Sequence, residues 1–139
     1  MKEIYKISLE EQKKLIEKLG ERHDAEAMRI KRYLEMPDLS RTEGSPIYEI
    51  IQRILHIPEM ANLDVIDVPE GVPAKASFDL FDFPADHPTR SKSDTYYVDD
   101  EHILRTHTTI MWYYYSQLEE IKKKIKNRES VGCLSFGKV

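Results

Sequence analysis

The chain lacks the residues that would cross-link it covalently and any apolar segment long enough to cross a bilayer. Its single cysteine, Cys133, excludes an internal disulfide and is compatible with a reducing compartment. No apolar run approaches the roughly 20 residues that a membrane-spanning helix needs, and the opening residues lack the apolar core of a secretory signal. These absences predict a soluble protein of the cytoplasm with no membrane partner.

The chain also lacks an excess of positive charge. Its 21 lysines and arginines are outnumbered by 25 aspartates and glutamates, which gives a formal net charge of -4 over 139 residues. An acidic chain has no general attraction for nucleic acid, so any such contact must be local or use another subunit. Hydrophobic residues make up 40% of the chain, which is enough for a core. The length suits one domain or part of a larger one.

Two short, highly charged helices are predicted in the first part of the chain. Ser8 and Glu11 have the spacing of a capping box at the start of a helix over residues 8–19. A second helix is predicted over residues 22–35, where the chain reaches a proline shortly afterwards. Because two such helices bury little area alone, residues 1–44 are predicted to be a helical appendage on a larger body.

A helix followed by a strand is predicted next. Ser45 and Pro46 are residue types preferred at a helix cap and in a first helical turn. Aliphatic residues then recur at helical spacing and form one stripe: Ile47, Ile50, Ile51, Ile54 and Leu55. A short strand is predicted over residues 63–68, and Pro69 stops it.

A long amphipathic helix and a final strand are predicted in the last third of the chain. From about Thr109, apolar and aromatic residues recur at helical spacing: Met111, Tyr114, Tyr115, Leu118, Ile121 and Ile125. The lysines that follow suit the negative end of a helix dipole. Residues 131–139 are predicted to be a strand, and Ile103 and Leu104 to begin a shorter one. This order of helices and strands is that of an α+β fold.

The segment over residues 81–109 is rich in groups that can bind metals or substrates. It contains three histidines, two arginines and six aspartates or glutamates. Zinc sites usually have short fixed spacings, whereas His102 and His107 are five residues apart and no cysteine joins them, so no metal site is predicted. The alternative is that the carboxylates cap turns and accept backbone hydrogen bonds. The aromatic cluster 112–115 lacks interleaved basic residues, which favours core or subunit contacts over base stacking.

The stretch Arg105-Thr-His-Thr-Thr109 lies between an apolar pair and the predicted long helix. Thr108 or Thr109 can cap that helix, which would leave His107 facing a cleft beyond the strand end. Helix N-termini favour carboxylates and phosphates, and an imidazole with hydroxyl groups can bind a small zwitterion by hydrogen bonds. The pattern therefore suggests a ligand site, and the alternative is a cap with a structural histidine.

Four linked blocks stand out between residues 78 and 109. They are Phe78-Asp-Leu-Phe-Asp-Phe83, Pro84-Ala-Asp-His-Pro-Thr-Arg90, Asp94-Thr-Tyr-Tyr97 and Leu104-Arg-Thr-His-Thr-Thr109. In this order they resemble the catalytic domain of the phenylalanyl-tRNA synthetase alpha subunit, a class II aminoacyl-tRNA synthetase. The resemblance covers about residues 45–139, which are expected to be the N-terminal, incomplete part of that domain, with motif 1 and antiparallel strands.

The resemblance implies roles for individual residues. In the family the last block lines the phenylalanine pocket, so His107, Thr108 and Thr109 are expected to bind phenylalanine, with Thr109 standing where serine is usual. The helix–strand unit that ends at Pro69 corresponds to motif 1, which builds the subunit interface. No catalytic residue and no metal ligand is expected in this chain. The residues expected to shape the signature loop are Asp86, His87, Pro88, Arg90, Asp94 and Arg105.

Two positions depart from the family pattern. Trp112 stands where many members have a glutamine that contacts the amino acid, and Ser93 stands where some members have an aromatic residue near the pocket. Neither of these two contacts is therefore carried over to this chain.

The complete enzyme implied by the resemblance activates phenylalanine with ATP and Mg²⁺ and transfers it to tRNA(Phe). It is expected to be a heterotetramer with a beta subunit and a second alpha subunit. The arginines of motifs 2 and 3, which hold the phosphates in the family, would follow Gly137-Lys-Val139, so these 139 residues alone are expected not to catalyse adenylation. The alternative is a truncated synthetase-like binding module without catalysis.

Overall fold

The computed structural model describes residues 3–7 and 10–139, and these residues contain both strands and helices. The strands are β1 (Ile4–Lys6), β2 (Asp64–Asp67), β3 (Gly71–Pro73), β4 (His102–Leu104) and β5 (Cys133–Leu134). The helices are α1 (Glu10–Gly20), α2 (Ala25–Glu35), α3 (Pro46–Leu55), α4 (Ala74–Asp79), α5 (Met111–Tyr115) and α6 (Glu119–Lys126). The prediction of a fold that mixes helix and sheet is confirmed. Among these helices none has the length and apolarity to span a bilayer.

The described residues form two compact units. Unit 1 comprises residues 3–7, Pro37–Val68 and Met111–Lys138, and unit 2 comprises residues 10–36, Pro69–Ile110 and Val139. The boundary between them does not follow the division predicted at residue 44, because α1 and α2 share unit 2 with part of the segment that carries the signature blocks. The assignment of residues 1–44 as a separate appendage stays a prediction.

Unit 1 is organised around a short parallel sheet in the order β1-β2-β5. In this sheet Ile4 lies opposite Val65, and Asp64 lies opposite Cys133. The central strand β2 has three buried residues in succession, which is typical of a strand covered on both faces. The strand predicted over residues 63–68 is thus confirmed, whereas β1 was missed because three residues are too few for a pattern. A strand was predicted over residues 131–139, but only Cys133–Leu134 of this range pairs with another strand, β2.

A buried carboxylate lies in the central strand of this sheet. Asp64 is 4% exposed, and it accepts hydrogen bonds from the Tyr115 hydroxyl at 2.6 Å and from the Glu3 backbone amide at 3.0 Å. Burial and the charge of Asp64 together raise the pKa of Tyr5 to about 12 and that of Cys133 to about 11. Burial, the hydrogen bond to Asp64 and the charge of Asp64 also raise the pKa of Tyr115. These phenols and this thiol are therefore neutral at physiological pH.

The helix predicted from Ser45 is confirmed as α3. The Ser45 hydroxyl accepts a hydrogen bond from the backbone amide of Tyr48 at 3.0 Å, and Pro46 occupies the first turn. The aliphatic stripe of α3 is not a core face, however, because no residue of the helix is buried. Ile47 is 48% exposed and Ile50 is 56% exposed.

The prediction of a single long helix from about Thr109 is wrong. A 3-10 turn (Thr108–Ile110) leads into the short helix α5. The helical conformation is then interrupted at residues 116–118 before α6 begins. At the break, the side-chain amide of Gln117 donates to the Tyr113 carbonyl at 2.7 Å. A continuous helix would bond that carbonyl to the backbone amide of Gln117, which instead donates to Tyr114. The four aromatic residues before the break also have modest helix propensity.

Unit 2 contains the two N-terminal helices and the antiparallel pair β3–β4. A buried cluster joins α1 and α2 to Val98: Leu15, Leu19, Ala27, Ile30 and Val98. The Arg22 guanidinium donates to the carbonyls of Tyr97 and Val98 at 3.1 and 2.9 Å, which holds the start of α2 on this segment. The predicted helix 22–35 begins later, at Ala25, since the Asp24 carboxylate caps it. Ser8 of the predicted capping box lies outside the described residues.

We expect Tyr115→Phe to destabilise the protein by about 1–3 kcal/mol, because it removes a donor from a buried carboxylate. Urea unfolding of wild type and variant at pH 7 measures the change in free energy. Tyr113→Phe is the matched control, since Tyr113 belongs to the same helix and is only half buried. Equal unfolding midpoints for the two variants would show that the Tyr115–Asp64 hydrogen bond does not stabilise unit 1.

Candidate functional site

The Arg105-Thr-His-Thr-Thr109 stretch directly follows β4 in unit 2. The pairing of β4 with β3 places Leu104 opposite Gly71, and the Arg105 amide continues it by donating to the Glu70 carbonyl at 2.8 Å. Arg105 is 4% exposed, so its side chain belongs to the interior of the protein. Thr108 and Thr109 are half buried and start a single 3-10 turn. They therefore do not cap the long helix that the sequence predicted.

His107 is a neutral imidazole, and one of its two ring nitrogens has no hydrogen-bond partner among the described residues. The ring is half buried, and burial lowers its pKa below the ordinary value, so it is uncharged at neutral pH. Its Nδ1 atom is buried and has no hydrogen-bond partner among the described residues. A buried polar atom without a partner is uncommon in a folded protein and calls for an explanation. One explanation is a ligand that supplies the missing partner.

A chain of aromatic rings connects His107 with the histidine of the signature loop. The His107 ring meets the ring of Phe81 edge-on, with centroids 4.9 Å apart. Phe81 lies 6.3 Å from Phe83, whose ring lies 4.7 Å from that of His87. The fold thus joins two parts of the 81–109 segment that the sequence analysis treated separately. Phe81 was missed as a site residue, although it belongs to a run with a phenylalanine at every second or third position.

Arg90 holds the signature loop in place through its side chain and its backbone. Its guanidinium donates to Asp79 Oδ1 at 3.2 Å and to the Phe83 carbonyl, and it lies over the Phe78 ring at 5.0 Å. The Arg90 carbonyl accepts a hydrogen bond from the Tyr97 hydroxyl at 2.6 Å. These contacts are of the kind expected of a residue that shapes a loop.

The other signature residues are more exposed. His87 Nδ1 accepts from the Thr89 backbone amide at 3.2 Å and lies 2.8 Å from the Thr89 hydroxyl. Pro88 opens the 3-10 turn that these contacts support. Asp86 and Asp94 both lie on the surface, and Asp94 accepts from the Ser93 hydroxyl at 3.3 Å. Their assignment to the signature loop stays a prediction.

Asp99 is a carboxylate of the 81–109 segment that accepts hydrogen bonds from backbone amides. Asp99 Oδ1 accepts from the amides of Glu101 and His102 at 2.8 and 2.7 Å and contacts His102 Nδ1 at 2.8 Å. Hydrogen bonds to these amides and to His102 outweigh the effect of burial and lower the pKa of Asp99. No group of three or more histidine, cysteine or acidic side chains suited to a metal ion occurs in residues 3–7 and 10–139.

The two remaining residues that the sequence analysis singled out lie at the ends of other elements. Pro69 is buried and follows β2 by two residues. Trp112 is 39% exposed, and its ring meets that of Tyr115 edge-on at 6.0 Å within unit 1.

The comparisons with known proteins point to one family. The model of the family described as "tRNA synthetases class II core domain (F)" matches residues 29–139. No curated protein and no solved structure matches the chain. The matched range begins within α2 and contains every candidate site residue, so it agrees with the resemblance in the four signature blocks at the level of the class II core.

We expect His107→Gln to reduce the loss of stability between pH 7.5 and pH 5.5. In the wild type the unfolded imidazole takes up a proton near pH 6.5, whereas the folded one resists protonation because its pKa is lowered. Acid therefore favours the unfolded state, and stability falls as the pH falls through this range. Glutamine removes this linkage. Urea unfolding as a function of pH measures it.

His23→Gln controls for the loss of an imidazole at an exposed position. If the stability of His107→Gln depends on pH as steeply as that of the wild type, His107 is not a buried neutral histidine.

Proposed function

Because the chain belongs to the class II tRNA synthetase core-domain family, we propose that it is the first part of the catalytic domain of a phenylalanine–tRNA ligase alpha subunit. The observation that carries the proposal is the buried, unpartnered Nδ1 of His107 inside the Leu104-Arg-Thr-His-Thr-Thr109 block. The family match favours an aminoacyl-tRNA ligase over a truncated binding module. The choice of phenylalanine rests on the four signature blocks.

His107 and Thr109 form one wall of the amino-acid pocket in this proposal. The neutral His107 imidazole accepts a hydrogen bond from the ammonium group of the substrate, which supplies the partner that Nδ1 lacks. The hydroxyl of Thr109, with that of Thr108 beside it, donates to the substrate carboxylate. Phe81, which is 38% exposed and fixed edge-on to His107, keeps the imidazole oriented. Binding of this kind positions the carboxylate for attack on a phosphate.

The complete enzyme uses ATP and Mg²⁺ in this proposal, and these act outside the residues described above. The described residues contain no group of carboxylates or histidines suited to a metal ion, so they do not fit Mg²⁺ by themselves. No step of the reaction is derived through either group. What residues 104–109 contribute is recognition of the amino acid, which the complete ligase would transfer to tRNA(Phe) in the cytoplasm.

The exposed stripe of α3 fits the proposed partners. In the family, motif 1 builds the subunit interface, and α3 with β2 corresponds to its helix–strand unit. Ile47 and Ile50 leave about half of their surface exposed, and covering the remaining half is favourable by about 1 kcal/mol each. We propose that a second alpha subunit covers this stripe and that a beta subunit completes the heterotetramer.

We expect the chain to bind L-phenylalanine and Thr109→Val to weaken that binding about tenfold or more. Valine keeps the shape but removes the hydroxyl, and a hydrogen bond to a charged group contributes about 1.5–3 kcal/mol. Thr109→Ser is the matched control, because it keeps the hydroxyl and is the residue usual in the family. Isothermal titration of both variants with phenylalanine, tyrosine and leucine measures affinity and specificity.

Equal phenylalanine affinity in Thr109→Val and in the wild type would remove Thr109 from the site. A preference for leucine or tyrosine would overturn the proposed specificity while leaving the family membership untouched.

We expect Ile50→Glu to convert a self-associated chain into monomers, because it places a charge in the apolar stripe of α3 that the second copy would cover. Sedimentation velocity measures the mass of wild type and variant over a range of concentrations. Glu49→Lys is the control, since it changes the charge of an exposed neighbour outside the stripe. A wild type that is monomeric at high concentration would contradict the proposed alpha–alpha contact.

A further inference from the structure

A cluster of exposed cations lies at the C-terminal end of α6 in unit 1. The side chains of Lys123, Lys126 and Arg128, here called the basic turn, are exposed. No ion pair of these three is found in the part of the chain that the structure describes, although the charge of Lys123, after the contact of Lys122, helps to lower the pKa of the Glu119 carboxyl. Lys122 differs, because its ammonium group contacts the Glu119 carboxylate at 2.8 Å. The basic turn therefore presents three positive charges to solvent.

The geometry of α6 directs the two lysines outward. Ile121 is fully buried and marks the inner face of the helix. Lys123 and Lys126 are one helical turn apart and lie on the face opposite Ile121, since an α-helix has about 3.6 residues per turn. Two ammonium groups on adjacent turns of one face can reach two neighbouring anionic groups of a ligand.

Arg128 has a backbone conformation that favours glycine. Its φ is 60°, in the left-handed region. The amide of Glu129 donates to the Lys124 carbonyl at 2.9 Å, and the amide of Arg128 donates to the Ile125 carbonyl at 3.0 Å. This is the helix-ending pattern in which glycine is the usual residue at the left-handed position, because side chains cost free energy there. A long cationic side chain thus occupies this position against the local backbone preference.

The neighbouring carboxylate of Glu129 does not explain why an arginine occupies the left-handed position 128. The Glu129 carboxylate accepts a hydrogen bond from the Asn127 side-chain amide at 3.2 Å. The negative end of the helix dipole favours lysines in the last turn, but it does not require a side chain at a left-handed position. Backbone strain of this kind is more often found at functional sites than elsewhere.

We propose that the basic turn binds the phosphate backbone of RNA, and tRNA is the RNA that the proposed function implies. The inference rests on that function for the identity of the RNA. The chain as a whole carries a net charge of -4, so contact with a polyanion must use a local basic surface. Three exposed cations at the end of one helix provide one, and their neutralisation of phosphates would release counterions.

The test is the affinity of the full 139-residue chain for a fluorescently labelled tRNA transcript over a range of salt concentrations. Lys123→Gln/Lys126→Gln/Arg128→Gln should weaken binding about tenfold at low salt, and should reduce the slope of log affinity against log salt by about 3. Lys6→Gln/Lys14→Gln/Lys75→Gln is the matched control. It removes the same charge from three exposed positions outside α6 and should change binding less than about twofold.

Arg128→Gly separates binding from folding. Glycine suits the left-handed position, so the melting temperature should rise or stay the same. Affinity for tRNA should nevertheless fall, and the salt slope should decrease by about 1. A purely structural Arg128 would leave affinity unchanged in this variant.

Equal weakening by the two triple variants would overturn the proposal, and so would the absence of tRNA binding by the wild-type chain at low salt. Phenylalanine titration of the same preparations keeps the two hypotheses apart. A chain that binds phenylalanine but not tRNA overturns this inference alone.

Discussion

Unit 1 depends on the placement of one buried carboxylate in its central strand. A charge at Asp64 would be strongly unfavourable without donors, and the donors come from elements on different sides of β2: the Tyr115 hydroxyl from α5 and the Glu3 amide next to β1. The backbone amide of Asp64 also donates to the Gly132 carbonyl just before β5, at 3.0 Å. Because the three strands have only two to four residues each, their ladders contain few hydrogen bonds. A side chain that ties strand, helix and loop together therefore has a large share in fixing their register.

Unit 2 also has few hydrogen bonds between strands. Aromatic rings and hydrogen bonds from side chains to the backbone hold its loop in place. The loop between α4 and β4 has little regular structure, so few of its backbone groups can bond to one another in ladders. The Arg90 guanidinium and the Tyr97 hydroxyl instead bond to carbonyls of the loop. The rings of Phe81 and Phe83 then link this loop to His107. A site built from short elements can orient an imidazole in this way, because the Phe81 ring that meets His107 edge-on is itself in contact with Phe83 of the loop.

The sequence predicted best those elements whose signals are local. The cap at Ser45 placed the start of α3 correctly, since the hydroxyl and the following proline determine that start by themselves. The same approach failed at residues 116–118, where periodicity continued but the Gln117 side chain took the carbonyl that a helix would have used. The unpartnered Nδ1 of His107 could not be read from spacing, because it depends on burial by residues distant in the chain. Phe81 was missed for the same reason, since only the fold brings its ring to His107.

Several local departures from the most stable arrangement occur within the described residues, such as the left-handed φ of Asp82, and three of them belong to the features discussed above. The stripe of α3 leaves Ile50 more than half exposed, the basic turn keeps Arg128 at a left-handed φ, and His107 buries a nitrogen without a partner. In a protein whose local and global preferences otherwise agree, such departures tend to mark functional sites. Each differs in chemistry, and each would be relieved by a different partner: an apolar surface, a polyanion and a hydrogen-bond donor. In the function proposed above, these partners would be a second subunit, a tRNA and an amino acid.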